Sequence, residues 1–219
     1  VYGDSNHPAI ATSYNNIGLV YKAQGECAKA LECFNKSLAI RLTVHRDSNH
    51  PTIATSYSNI GSVYYSQGEY VKALECYETS LTVELTVYED RNHPDIATSY
   101  SNIGSVYNSQ GESAKALECF DRCLTIQLIV YRDSNHPDIA SSYSNIGSVH
   151  YSQREYVKAL EWYNKSLTIR LTVYRDSNHP DIATSYSNIG TVYESQGEYV
   201  KAMECHNKSQ AIRSACKHK

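Results

Sequence analysis

The stretch SNIGSVYYSQGEYVKAL, Ser58 to Leu74, returns 43 residues later as SNIGSVYNSQGESAKAL, Ser101 to Leu117. The dipeptide His-Pro keeps the same interval: His7-Pro8, His50-Pro51, His93-Pro94, His136-Pro137 and His179-Pro180. So does the glycine that follows each Asn-Ile pair, at Gly18, Gly61, Gly104, Gly147 and Gly190. Five copies at a constant interval imply a stacked array. A unit this short cannot bury its apolar face alone and must pack on the next copy.

Each copy reads as two helices. In the second copy Ile53, Ala54, Tyr57, Ile60, Gly61 and Tyr64 fall at helical spacing and form one apolar stripe. Pro51 suits a first helical turn, and Asn49 and His50 before it are cap candidates. Gly68 in "SQGE" can take the left-handed conformation that stops a helix. A second stripe follows through Tyr70, Ala73, Leu74, Tyr77, Leu81, Leu85 and Tyr88, before turn residues lead to the next His-Pro. Glycine inside a helix costs roughly 0.5–1 kcal/mol against alanine. Gly61 therefore points to close approach of a neighbouring helix, with Ala73 acting similarly.

Composition limits the function classes. The 219 residues are 41% hydrophobic and 20% charged, with a formal net charge of −3. Such a balance gives no reason to expect nucleic acid or an anionic membrane as partner. No apolar run approaches the ~18 residues of a membrane span, and no signal peptide is visible. Of seven cysteines, Cys33, Cys76, Cys119 and Cys205 hold equivalent places in successive copies, which suggests free thiols in a reducing, cytoplasmic setting rather than a disulfide framework.

The order Tyr57, Ile60-Gly61, Tyr64, Gly68, Tyr70, Ala73, Tyr77, Ser80 resembles the tetratricopeptide repeat (TPR) pattern. The long interval and the HPDIATSYSNIG opening are most similar to the TPR variant of kinesin light chains and related animal and bacterial arrays. The resemblance covers essentially the whole chain. It implies an all-α, right-handed α-solenoid: one domain, residues 1–219, of five helix pairs at approximately 4–46, 47–89, 90–132, 133–175 and 176–219. Two departures stand out. Leu85 occupies the place of the family's proline near the end of the second helix, so that helix is expected to continue. Arg154 replaces the turn glycine of the other four copies.

The ends differ from the middle. Val1-Tyr2 match the tail of a preceding copy, and the sequence decays at the other end, where His206 replaces Tyr or Phe and Gln210 replaces Leu. A polar outer face of that kind suits a terminal cap, so the expectation is a natural C-terminus and a cut N-terminus.

Chemistry needs a singular constellation, and this chain repeats nearly everything. Histidines spaced one per copy are expected to lie ~8–10 Å or more apart, too far to share one zinc, and a capping or inter-repeat role suits them. Cys119 and Cys123 are four apart on one helix, with no further ligand near them in sequence. No phosphate-binding glycine loop or nucleophile elbow occurs. Asp95 and Asp138 fall in first helical turns, which the helix dipole favours. No catalytic residue, metal or cofactor is expected. Three NKS sequons, at Asn35, Asn164 and Asn207, ride on the repeated second helix and are best read as chance.

The other face of the first helix carries Thr55, Ser58, Asn59, Ser62, Tyr65 and Ser66. The asparagine recurs as Asn16, Asn59, Asn102, Asn145 and Asn188, and serines recur beside it at Ser101, Ser105, Ser144 and Ser148. An amide offers donors and an acceptor and can pair with an extended backbone. The resemblance implies that first helices line a concave groove where such asparagines hold a peptide; bonding to their own neighbours is the alternative. Family members that bind carboxylates or acidic peptides use bases on this face. Here Lys22 is the only base, which favours a neutral or polar extended segment resting on Tyr65 and Tyr151. Specificity is expected where the copies differ: Lys22, Tyr65, Asn108, Tyr151 and Glu194 share one equivalent place. The expected function is therefore a non-catalytic interaction scaffold, monomeric, with a protein or peptide partner. The alternative is a structural spacer or a rod that assembles head to tail.

Overall fold

In the computed structural model, residues 7–45, 49–174 and 178–216 are described. They form ten helices in five pairs: α1 (Pro8–Ala23) with α2 (Cys27–Val44), α3 (Pro51–Ser66) with α4 (Tyr70–Val87), α5 (Pro94–Ser109) with α6 (Ser113–Tyr131), α7 (Pro137–Ser152) with α8 (Tyr156–Val173), and α9 (Pro180–Ser195) with α10 (Tyr199–Cys216). Val1-Tyr2, from which a preceding copy was inferred, lie outside the described residues. The chain divides into two compact units, residues 1–106 and 107–219. Each second helix runs past the position of Leu85, as its missing proline suggested.

Every first helix starts the same way. Proline at the first helical position has no N–H to satisfy, and the histidine before it caps the helix. The amides of Ala9, Thr52, Asp95, Asp138 and Asp181 donate to Nδ1 of His7, His50, His93, His136 and His179 at 3.1–3.2 Å. The histidine, not Asn49, supplies the acceptor in the second pair. The first helix ends in a left-handed residue: φ is +77° at Gly25, +75° at Gly68, +77° at Gly111 and +77° at Gly197. Gly68 N–H then donates to the Tyr65 carbonyl and Glu69 N–H to the Tyr64 carbonyl, which satisfies the last turn. Arg154 adopts φ +61° and the turn makes the same pair of bonds, from Arg154 N–H to the Tyr151 carbonyl and from Glu155 N–H to the His150 carbonyl. The fourth turn keeps its geometry and carries strain that glycine would not.

Within a pair, the helical glycine is a notch for a ring. A Cβ on Gly18 would stand 2.7 Å from the Phe34 ring, on Gly147 2.9 Å from Tyr163 and on Gly190 2.8 Å from His206. At Gly61 it would meet Tyr77 at 3.0 Å and Cys76 Cβ at 3.1 Å. The close approach expected at Gly61 thus comes from an aromatic side chain of its own helix pair. Between pairs, each second helix packs on the next first helix. In the first unit Ala30 and Phe34 close over Ile60 and Val63; in the second, Ala116 and Phe120 close over Ile146 and Val149. Each such Ile or Val contributes roughly 1.5–3 kcal/mol. Ile17 and Val20, their counterparts in α1, are 46% and 57% exposed. The outer face of α10 is less polar than its sequence suggested: Gln210 is exposed, but so are Tyr199 and Met203, at 70% and 60%. Their counterparts Tyr70 and Leu74 are half-covered, and no described helix follows α10 to cover them.

Polar side chains lock these contacts. Ser37 and Ser80 donate to the carbonyls of Ala11 and Ala54 at 2.7 and 2.9 Å. Ser37, Ser166 and Ser209 of the NKS sequons all face inward, buried, so their recurrence is structural. One turn further on, Arg41, Glu84, Gln127 and Arg170 are buried at equivalent places and reach Ser56, Ser99, Ser142 and Ser185 of the next first helix. The loops between pairs are also built. Tyr88, Tyr131 and Tyr174 stack on His93, His136 and His179 with ring centroids 3.5 Å apart. Their hydroxyls donate to Asp95, Asp138 and Asp181 at 2.5, 2.5 and 2.7 Å. At the first junction His45 stacks on His50 at 3.6 Å, and Thr52 stands in place of the aspartate.

Gly61→Leu is expected to destabilise the fold by about 1–3 kcal/mol. A thermal melt reads this as a loss of about 2–4 °C per kcal/mol. Arg154→Gly should act oppositely, gaining about 1 kcal/mol as the left-handed strain is removed. Acid should loosen the first junction. Burial, then the charges of His45 and Arg41, hold His50 below its ordinary 6.5. The unfolded chain takes up that proton first, so stability falls as pH drops through about 6.5. The double variant His45→Tyr with Thr52→Asp, which copies the other junctions, should show a shallower fall in Tm over the same range.

Candidate peptide-binding face

The first-helix residues singled out from sequence lie half-buried to exposed, and several of them link successive pairs to one another. Asn59 Nδ2 donates to Asn15 Oδ1 at 2.9 Å. Asn102 and Asn188 donate to Ser58 and Ser144 at 3.5 and 3.4 Å. The partner in the first pair is Asn15, the equivalent of Ser58 and Ser144, which is buried, whereas Asn16, the first member of the asparagine row, is exposed. Asn145 and Ser101 are half-buried at the same register. The bonding of asparagine to its neighbours, weighed above as the alternative, is thus present. It does not exhaust the amide, which keeps a second N–H and an acceptor oxygen.

The hydroxyls of this face point their hydrogens inward. Thr12, Thr55, Thr98, Ser141 and Thr184 each donate to the carbonyl of the helix-opening proline, at 3.0–3.2 Å. Ser62 donates to the Asn59 carbonyl at 2.7 Å, Ser105 to Ser101 at 2.9 Å and Thr191 to Ser187 at 3.0 Å. Side-chain bonds of this kind are common for Ser and Thr within helices. At the exposed Thr55, Thr98, Ser141 and Thr184 they leave lone pairs, not hydrogens, facing outward.

The variable position also reaches across pairs. Lys22 Nζ donates to Ser62 Oγ at 2.7 Å, and burial holds its ammonium below the usual lysine range. Asn108 Nδ2 reaches Ser148 at 3.4 Å, while its Oδ1 is buried without a partner. The Tyr151 hydroxyl meets Ser195 Oγ at 3.0 Å. Tyr65 and Tyr151 lean on Tyr70 and Tyr156, centroids 5.9 and 6.0 Å apart. Glu194 is exposed and lies 3.7 Å from His206 Nε2. Sequence reasoning found this face but missed the buried polar position of Arg41, Glu84, Gln127 and Arg170. Its 43-residue spacing was readable, but its varied chemistry hid it among surface charges.

Among the described residues no group of three or more His, Cys, Asp or Glu side chains converges to hold a metal ion. None of their helices is long and apolar enough to cross a membrane.

Comparison with known proteins places the chain. No curated protein matches it. Among solved structures, a kinesin light chain from Podosopora anserina with nearly identical TPR-like repeats superposes with a TM-score of 0.74 at 21% identity, covering 97% of this chain and 99% of that one. BtubC (BKLC) from P. vanneervenii gives 0.79 at 21% identity, covering 97% and 83%. A Rap protein complexed with Competence and Sporulation Factor gives 0.75 at 18% identity, covering 91% and 53%. These likenesses show a shared fold. A tetratricopeptide repeat profile matches residues 1–43, 52–129 and 138–215. The chain therefore belongs to the tetratricopeptide repeat family, built on the long repeat seen in kinesin light chain-like arrays.

Proposed function

We propose that this protein is a cytoplasmic scaffold that binds an extended polypeptide segment along the exposed face of its first helices. The observation that carries the reading is the repeated row of Thr, Ser and Asn, in which the exposed hydroxyls of Thr55, Thr98, Ser141 and Thr184 give their hydrogens to their own helix and leave acceptors outward. A backbone in extended form presents N–H groups at alternate positions, and the spare asparagine N–H can take its carbonyls. The partner is polar and supplies donors; a carboxylate-rich segment would find on this face only Lys22, already bonded to Ser62. Modest contacts repeated from pair to pair add up to useful affinity. The structurally similar Rap protein, solved in complex with Competence and Sporulation Factor, is another protein of this fold that holds a partner.

The test is affinity capture from the source lysate. It compares the parent with an Asn59→Ala, Asn102→Ala, Asn145→Ala variant that retains the parent Tm. Hydrogen-exchange footprinting of the captured complex follows. The expected result is loss of capture in the variant and protection confined to the first helices. Protection on second helices instead moves binding to that face. No capture, with sedimentation showing growth of assemblies at high concentration, favours a self-assembling spacer.

A further inference from the structure

The buried polar position of the second helix differs from junction to junction, and one version of it has no compensating charge. Arg41 Nη1 donates to Ser56 Oγ at 2.7 Å and to the Thr52 carbonyl at 2.6 Å; Arg170 does the same with Ser185 and the Asp181 carbonyl, at 2.7 and 3.1 Å. Gln127, neutral, accepts from Ser142 at 2.7 Å. Glu84 is 6% exposed. Its Oε1 accepts from Ser80 at 3.2 Å, Ser99 is its other hydrogen-bond partner, and Oε2 is buried with no partner.

The surrounding charge makes this junction unlike the others. The aspartate that opens the next first helix lies near Arg170 as Asp181, where the signs are opposite, but near Glu84 as Asp95, where they are alike. Asp95 Oδ2 accepts from the Tyr88 hydroxyl at 2.5 Å and lies 3.7 Å from His93 Nδ1. Asp95, Tyr88 and, beyond them, His93 are the titratable groups on that side. Across the pair, Ser80 beside Glu84 donates to the Ala54 carbonyl of α3 at 2.9 Å. Among the described residues no base is paired with Glu84. An ionised carboxylate buried without a partner is costly, and the group responds by keeping its proton.

We propose that the contact between α4 and the start of α5 is a pH-sensitive joint: Glu84 holds it closed as a neutral acid and weakens it on ionising. Protonated, Glu84 resembles Gln127 in charge and can donate to a first-helix acceptor as the arginines do. Burial, with Asp95 adding to it, lifts the carboxyl from 4.5 to about 7, against the opposing pull of Ser99 and Ser80. Between those values the folded chain holds a proton that the unfolded chain has released. The joint's contribution is complete below 4.5 and is lost as pH rises through about 7. The joint lies within residues 1–106, where Asn102 to Ser58 bridges the same two helix pairs on the polar face.

Thermal melts of the whole chain from about pH 5 to about pH 8.5 test this, comparing the parent with Glu84→Gln and with Gln127→Glu. Measured against Glu84→Gln, which keeps the His50 response, the parent should lose Tm toward high pH, and Gln127→Glu should lose more than the parent. Hydrogen exchange, corrected for the intrinsic rate, gives a second reading that needs no variant. Protection of α5 first-turn amides should fall roughly tenfold or more over that range, and that of α7 first-turn amides much less. Parallel melting slopes for parent and Glu84→Gln, or equal changes in protection at the two junctions, overturn the proposal.

Discussion

A helix pair of some forty residues has two faces to bury and material for little more than one, and the ring lying across a glycine is how this chain deals with that limit. Phe34, Tyr77, Tyr163 and His206 sit where the missing Cβ of Gly18, Gly61, Gly147 and Gly190 leaves room. The ring draws the two helices of a pair together. Its other side, with the neighbouring alanine, becomes the floor on which the next pair lays an isoleucine and a valine. One contact thus serves both within and between pairs, and a methyl group in the notch would disturb both.

Around that apolar contact, differences accumulate in two polar layers on either side of it. The inner layer is the buried row of Arg41, Glu84, Gln127 and Arg170, each finding a serine on the next helix. The partner serine is constant while the reaching residue changes charge from +1 to −1 to neutral. Junctions of equal packing can therefore differ in their response to pH. The outer layer is the Thr, Ser and Asn row, where the side chains bond to one another and still leave acceptors exposed. A face built in this way is already ordered before any partner arrives, so less conformational entropy remains to be lost on binding.

Each of His93, His136 and His179 shows how several weak interactions combine in one short loop. It caps the helix through Nδ1, stacks on the tyrosine of the preceding pair, and places that tyrosine's hydroxyl on the aspartate two residues later. Where tyrosine becomes His45 the aspartate becomes Thr52, and the stack and the cap persist. The pairing of these two changes follows from the geometry: without a tyrosine hydroxyl, an aspartate at that place has lost its donor.

By itself the sequence determined the helix pairs, their interval and their boundaries. Those features rest on local chemistry: proline at a first turn, a left-handed glycine at the end, apolar residues at helical spacing. It also identified the polar face, since periodicity alone separates Thr55, Asn59 and Ser62 from the buried stripe. Tertiary structure decided the rest. It turned Gly61 from a place of helix approach into a seat for Tyr77, and bonded Asn59 to Asn15 of the preceding pair. It also buried Glu84, which in sequence is one more acidic residue on an amphipathic helix. These outcomes depend on which residue of one helix meets which residue of another, up to 44 positions away in the bonds described, and that register is a property of packing, not of any local run of sequence.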